Sequence, residues 1–172
     1  MNKETARAKF IWSKIMDRCY KPTDGDYRWY GAVGVVVCEE WKDFSVFKQW
    51  YFENYYSIEG QQVSIDKDIV GGEQKIYSPK TCIIIPLKLH NSMNKKKLSK
   101  SRGVQQRGKM YEVKVRNTFT GENEYKGRYD EIEVAKKVYL ECKNAIFQGL
   151  VDSYAGLMPT RVFQILKYHK IK

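Results

Sequence analysis

Residues 63–86 read VSIDKDIVGGEQKIYSPKTCIIIP, and the fold that we expect for the chain follows from them. An alternating apolar run ends at Asp66, a glycine turn follows, and a second apolar run, CIII, ends at Pro86. Branched apolar residues favour strands and paired glycines favour turns, so the stretch predicts a tight β-hairpin with an aspartate at the end of its first strand. Residues 87–98, LKLHNSMNKKKL, predict a helix directly after it. The predicted order is strand, strand, helix.

Two helices are predicted before this hairpin. Residues 4–19 place apolar and basic side chains at helical spacing, and residues 43–56 predict a second helix with Asp43 as its N-cap. Between them, the glycine-punctuated run YGAVGVVVCEEW predicts a short strand or extended segment. Helical spacing also predicts that the aromatic residues of the second helix pack in the core; they are Phe44, Phe47, Trp50, Tyr51 and Tyr55.

The pattern changes after a basic, glycine-bearing hinge, SKSRGVQQRGK, which predicts a domain boundary near Ser99. MYEVKVRN alternates with period two, FTG predicts a turn, and NEYKGRYD predicts the returning strand. A helix with acidic residues in its first turn follows, and a terminal helix is expected to begin at Pro159.

Net charge narrows the class of partner. The chain has 172 residues, Lys+Arg 31 against Asp+Glu 20, and a formal net charge of +11. This excess favours a polyanionic partner, because bound cations release the counterions of phosphate groups. A basic protein without such a partner is the alternative. The charge is concentrated between residues 86 and 118, where ten residues are basic and only Glu112 is acidic.

Composition also bears on the compartment. The N-terminal residues lack an apolar signal core, and no run approaches the length of a membrane span, so we expect a cytoplasmic protein with no membrane partner. The four cysteines, Cys19, Cys38, Cys82 and Cys142, contain no C-x-x-C pair, which argues against a zinc knuckle. We expect them to be small core residues.

The aspartate of the hairpin and the polar side chains of the next helix suggest phosphodiester chemistry. Hydrolysis of a phosphodiester needs a divalent metal on the phosphate and a base that deprotonates water. Asp66 and Asn91 could meet as oxygen ligands if the hairpin packs on the helix. Tyr77 and His90 are candidates to orient or deprotonate the water. The alternative is that Asp66 is an ordinary turn residue.

The ordered motifs RCY, YGAVGVVVCEEW, IDKD, YSPKTC and LHN resemble those of phage HNH-like endonucleases, the ββα-metal or His-Me finger family, over most of residues 10–98. The resemblance implies that Asp66 and Asn91 hold a divalent metal, and the oxygen ligands favour Mg²⁺, with Mn²⁺ as the other choice.

The chain departs from that family at the general base. Lys67 stands where the family typically carries a histidine, and we expect it to offset phosphate charge. Some relatives use a tyrosine of the hairpin instead, which matches Tyr77. Thr81 also stands where the family has an asparagine. The catalytic residues that we predict are Asp66, Lys67, Tyr77, His90 and Asn91.

Residues 102–148 resemble the Apetala-type (ethylene-response-factor) DNA-binding domain. The resemblance rests on GV in the first strand, KMYEVKV in the second, YKGRYD in the third and EVAKKVY in the helix. In that family the sheet enters the major groove of double-stranded DNA, which is wide enough for a β-ribbon. Period two predicts that basic residues of two strands share the face opposite the helix. The predicted DNA-binding residues are Lys95, Lys96, Arg102, Arg107, Lys114, Arg116, Lys126 and Arg128.

We therefore expect an α+β fold in three parts. Residues 1–98 form a ββα-metal finger with flanking N-terminal helices, residues 99–150 a small three-stranded antiparallel sheet packed on a helix, and residues 151–172 a C-terminal helical extension. The expected function is a metal-dependent DNA endonuclease, phage-encoded or homing-like, acting in the host cytoplasm if phage-encoded. The alternatives are a catalytically degenerate DNA-binding protein of the same fold and a phage inhibitor that binds a protein of a host defence system. The terminal helix could also support a homodimer.

Overall fold

The computed structural model describes residues 3–93 and 103–171, which form helices and short strands. The fold class is α+β, as predicted. The chain divides into two compact units: Met1–Glu59 with Val63–Ile85, and Gly60–Gln62 with Pro86–Lys172. The predicted boundary near Ser99 lies outside the described residues.

Helices form most of the first unit. α1 spans Lys3–Tyr20, α2 spans Glu39–Lys42 and α3 spans Phe44–Asn54. α3 begins where the Asp43 carboxylate accepts a hydrogen bond from the Ser45 amide at 2.7 Å. This bond satisfies an amide that the first turn of a helix leaves unpaired, and it confirms the predicted cap.

The strands of the first unit depart from the predicted tight hairpin. β2, Val63–Asp66, pairs with β4, Ile83–Pro86, as expected for the two ends of the stretch. Between them lie a short helix, α4 (Asp68–Gly71), and β3 (Ile76–Tyr77), which pairs in parallel with β1 (Val36–Val37). The prediction of one tight hairpin was therefore wrong, because the intervening residues form a helical turn and a pairing of their own.

The core of the first unit is aromatic. Trp41 and Phe47 are each 0% exposed, and their rings meet edge to face with centroids 5.0 Å apart. Trp50 and Tyr51 are also buried, which confirms that these aromatics of α3 belong to the core. Phe44 and Tyr55 pack against the same cluster and are partly buried.

The second unit contains a three-stranded antiparallel sheet. β5 spans Val104–Arg107, β6 spans Met110–Arg116 and β7 spans Asn123–Tyr129, in the order β5-β6-β7. The central strand β6 and the return strand β7 follow the predicted pattern. A small three-stranded antiparallel sheet was expected here, and the structure contains it.

Three helices complete the second unit. α5 spans Leu87–Met93, and the rest of its predicted range lies outside the described residues. α6 spans Ile132–Asp152 and packs on the sheet, where Ala135 joins the buried cluster of β6. α7 spans Thr160–Tyr168, with Pro159 at its N-cap, and contacts α6. Within the two described stretches, no helix is both long and apolar enough to cross a bilayer.

Phe47→Ala should lower the free energy of unfolding of the first unit by about 3–5 kcal/mol, because it leaves a cavity beside Trp41. All 4 tryptophans of the chain lie in this unit, so urea unfolding followed by tryptophan fluorescence measures the change. Phe10, at 63% exposed, supplies the control, and Phe10→Ala should change the value by less than about 0.5 kcal/mol. Equal losses in the two variants would contradict this account of the core.

Candidate functional site

The face of the sheet turned away from α6, here called the outward face, carries four of the five predicted DNA-binding residues that the structure describes. Val113 and Val115 of β6 are 0% and 2% exposed against α6. Side chains alternate along a strand, so the neighbouring Glu112, Lys114 and Arg116 lie on the outward face. Residues directly opposite each other on neighbouring strands point to the same face of a sheet. Arg128 of β7 pairs with Glu112, and Arg107 of β5 pairs with Met110, which alternates in step with Glu112, so both arginines lie on the outward face.

Four of these side chains are exposed cations. Arg107, Lys114, Arg116 and Arg128 are all exposed, and the side chains of Lys114 and Arg128 are 50% and 54% accessible. The guanidinium of Arg107 donates to the Gln105 side-chain oxygen at 3.1 Å. The sheet thus brings together cations from all three strands on one surface.

A β-bulge changes the predicted membership of this surface. Val113 pairs with Gly127 and Lys114 with Tyr125, which leaves Lys126 opposite no residue of β6. The Lys126 ammonium lies 2.7 Å from the Glu124 carboxylate, and the partner of Glu124 is the inward-facing Val115. Lys126 therefore does not share the outward face, contrary to the period-two expectation; a contact between Lys126 and DNA stays a prediction.

The same bulge brings Tyr125 to the outward face, where the sequence did not predict it. Tyr125 is the partner of Lys114 and is 56% exposed. Gly127 has a φ of 117°, a backbone conformation that residues other than glycine rarely adopt. That glycine inside a strand is the sequence signal that could have indicated a bulge.

Glu112 is the carboxylate at the centre of the outward face. It is only 8% exposed, and its two oxygens lie 2.7 Å from the Lys114 ammonium and 3.3 Å from the Arg128 guanidinium. Lys114 above all, and then Arg128, hold the pKa of Glu112 below its ordinary value, against the opposing effect of partial burial. Glu112 is thus ionised at neutral pH and bound to two of the outward cations.

Three predicted DNA-binding residues, Lys95, Lys96 and Arg102, lie outside the described residues, and their roles stay predictions.

In the first unit, Asp66 ends β2 and orients the start of α4. Its Oδ1 accepts hydrogen bonds from the amides of Asp68 at 2.7 Å and Ile69 at 2.9 Å. Two such bonds fix the direction of the carboxylate, and they explain the residue as the acceptor for the first two amides of α4, whose N-cap is Lys67. Thr81, the departure from the family motif, supports the neighbouring loop by donating to the Ile76 carbonyl at 2.7 Å.

Lys67 and Tyr77 lie together beside Arg18, the first residue of the RCY motif, to which the sequence analysis gave no role. The Arg18 guanidinium carbon is 4.6 Å from the ring centre of Tyr30 and 4.7 Å from that of Tyr77. The Lys67 ammonium is 5.8 Å from the Tyr77 ring and pairs with the Asp68 carboxylate. The RCY motif contains Arg18, but the local sequence pattern could not indicate its contacts, because Tyr30 and Tyr77 come from distant segments.

The environment of Tyr77 is unfavourable for proton transfer. Tyr77 is 2% exposed, and burial raises its pKa well above the ordinary tyrosine value, although the Arg18 charge opposes the shift. A buried phenol with a raised pKa keeps its proton at neutral pH. The catalytic role that the resemblance gives to Tyr77 stays a prediction that this burial does not favour.

His90 and Asn91 lie on α5, in the second unit. His90 is half-buried and Asn91 is exposed. Among residues 3–93 and 103–171, no three histidine, cysteine, aspartate or glutamate side chains are grouped as a metal site. The predicted metal ligands are one carboxylate, Asp66, and one amide, Asn91, so the absence of a three-residue group does not test them. The bound metal stays a prediction.

No protein-family model matches the chain, and searches of curated proteins and of solved structures find no significant match. The two family resemblances therefore rest on the motifs alone.

Glu112→Gln should lower the stability of the sheet in a pH-dependent way. Because the folded pKa of Glu112 lies below its ordinary value of 4.5, its ion pairs stabilise the fold above that pH. The advantage of the wild type over Glu112→Gln should therefore be full at pH 7 and disappear as the pH falls through the folded pKa. Urea unfolding followed by far-ultraviolet circular dichroism at a series of falling pH values measures this. A difference that stays constant down to the lowest pH at which the wild type folds would contradict it.

Proposed function

We propose that the chain binds double-stranded DNA through the outward face of β5–β7. The observation that carries the proposal is the projection of Arg107, Lys114, Arg116 and Arg128 from one face of a sheet whose other face is packed on α6. The major groove admits a β-ribbon, arginine can bind guanine through two hydrogen bonds, and lysine binds phosphates as a point charge. The net charge of +11 adds attraction to a polyanion at long range.

An ordinary solvated sheet face explains these cations less well. Solvated faces usually intersperse both charge signs, whereas Glu112 is the single carboxylate among the residues named on the outward face. Within the described part of the chain, Arg107 and Arg116 make no ion pair with an acidic side chain. Uncompensated arginines on a rigid sheet are what a surface that contacts phosphates and bases requires.

Replacing Arg107 and Arg116 together by alanine should weaken duplex binding and reduce the slope of log affinity against log salt by about two, since each lost phosphate contact removes about 0.9. Fluorescence anisotropy with a labelled duplex at several salt concentrations measures both quantities.

The matched control removes two cations elsewhere in the second unit. Lys136 pairs with Glu133 on α6, and Lys167 of α7 pairs with Asp152. Replacing these two lysines by alanine causes the same change in net charge. It should leave the slope within about half a unit of the wild type. Equal effects in the two double variants would show that net charge, rather than the outward face, governs binding.

The second candidate function is the metal-dependent endonuclease that the resemblance implies. The observation that favours it is the Asp66 carboxylate at the end of β2, oriented by the Asp68 and Ile69 amides. Oxygen ligands such as carboxylates are those that Mg²⁺ prefers, so Asp66 fits such an ion, and the resemblance alone assigns Asn91 as a second ligand. When bound, Mg²⁺ would polarise the phosphate and stabilise the leaving oxygen.

The other predicted catalytic residues, Lys67, His90 and Tyr77, would either offset phosphate charge or accept a proton from water. The Lys67 ammonium pairs with the Asp68 carboxylate, and in the proposed site it would offset phosphate charge. Histidine is the side chain that most often acts as general base, and His90 is the only imidazole among the predicted catalytic residues. His90 is therefore a better candidate than the buried Tyr77 to take the proton from water.

Asp66→Asn should abolish plasmid nicking in Mg²⁺ or Mn²⁺ while preserving the fold. An asparagine side-chain oxygen can accept the same two amide hydrogen bonds, but the substitution removes the charge that binds the metal, so a loss of at least about 100-fold is expected. Conversion of supercoiled plasmid to the relaxed form, with and without EDTA, measures the activity.

Asp43→Asn is the matched control, because the Asp43 carboxylate also accepts an amide hydrogen bond at the start of a helix and belongs to no candidate site. It should nick as the wild type does. Nicking that survives Asp66→Asn would remove Asp66 from the mechanism. Duplex binding without nicking by the wild type in either metal would favour the catalytically degenerate DNA-binding protein.

A further inference from the structure

Glu112 occupies the middle of the surface that we propose to contact DNA. It lies on the central strand β6, between Gln105 of β5 and Arg128 of β7 in the register of the sheet. At 8% exposed it is far less accessible than Lys114 and Arg128, the two cations that it binds. The carboxylate is therefore recessed behind the groups that a ligand would meet first.

A carboxylate in this position opposes simple phosphate binding. It repels phosphates and neutralises part of the positive charge of the outward face. A surface that only held the DNA backbone would bind more tightly without it. The presence of Glu112 at the centre of the outward face therefore points to a task other than affinity.

Direct contact with a base is not the task that the geometry favours. Glutamate can accept a hydrogen bond from the amino group of cytosine. Both oxygens of Glu112, however, already bind cations, one at 2.7 Å to Lys114 and the other at 3.3 Å to Arg128. A recessed carboxylate with both oxygens engaged acts on the DNA through its partners.

The contact with Arg128 uses only one end of the guanidinium. Its Nη2 donates to Glu112, and a guanidinium has five N–H donors in a fixed plane. Donors on the other nitrogens are sufficient for the O6 and N7 atoms of a guanine. An arginine held by one nitrogen also has fewer orientations to lose when it binds a base.

We propose that Glu112 is a positioning residue that orients Arg128 toward a guanine in the major groove and keeps Lys114 from indiscriminate phosphate contact. The inference rests on the proposed duplex binding and adds the class of target: double-stranded DNA with a G·C pair opposite Arg128. Arg107 is held in a comparable way by the Gln105 oxygen at 3.1 Å. Acceptors of the sheet thus orient an arginine on each of its outer strands.

The test compares Glu112→Gln with Glu124→Gln. Glu124 lies in the same sheet and also pairs with a lysine, but its register partner is the inward-facing Val115. Both variants change the net charge equally. Selection from a randomised duplex library with the wild-type protein supplies the preferred duplex, and anisotropy gives its affinity and those of duplexes with each G·C pair replaced by A·T.

For the wild type, one G·C replacement should weaken binding on the order of ten-fold or more. In Glu112→Gln the same replacement should weaken binding by less than about three-fold. The scrambled duplex should bind more tightly than it does to the wild type. The slope of log affinity against log salt should also become steeper by about one, because a cation released from Glu112 contacts a phosphate. Glu124→Gln should keep the wild-type discrimination.

A second variant covers a failure of Glu112→Gln to fold. Arg128→Lys keeps the charge and loses the planar fork, so it should lose discrimination at the same base pair and keep its affinity for the scrambled duplex. The inference would be overturned if Glu112→Gln or Arg128→Lys kept the wild-type discrimination between base pairs. It would also be overturned if Glu112→Gln and Glu124→Gln lost that discrimination equally. Neither result would contradict duplex binding itself. If the wild type binds no duplex at low salt, the proposed function fails and the inference fails with it.

Discussion

The burial of Val113 and Val115 against α6 is the constraint on which the proposed DNA-binding face depends. These side chains are 0% and 2% exposed, and the alternation of a strand then turns Glu112, Lys114 and Arg116 to the other side. If β6 slipped by one residue, the two valines would become exposed and the charged side chains would be buried away from water. The energy that fixes the core of the second unit therefore also fixes which charges face outward.

The local pattern was sufficient to predict β6, β7 and α6, because each has a strong period and a clear turn before it. It was not sufficient for the membership of the outward face. The bulge at Lys126 depends on the positive φ of Gly127 and on pairing with β6, so a period counted along β7 alone misplaced Lys126 and missed Tyr125. Arg107 and Arg128 were predicted, but the contact between Glu112 and Arg128 required the register of two strands.

The first unit shows the same division between local and distant information. The ends of the stretch from 63 to 86 were predicted as strands, whereas α4 is too short to have a period and β3 depends on β1, which lies far back in the sequence. Arg18 belongs to the RCY motif, but its contacts were not predicted because its two tyrosines come from separate segments. Asp66 was predicted for its chemistry, and its carboxylate also accepts the first two amides of α4, so the same side chain serves the stability of α4 and the proposed metal chemistry.

The bulge in β7 has a consequence for how the sheet could change in length. Lys126 has no partner in β6, and the residues on either side of it, Tyr125 and Gly127, already pair with consecutive residues of β6. Deleting Lys126 would therefore restore a regular ladder without moving any other side chain to the opposite face. β7 thus has one residue more than its pairing with β6 uses, and a chain shortened by that residue would present the same groups on the outward face.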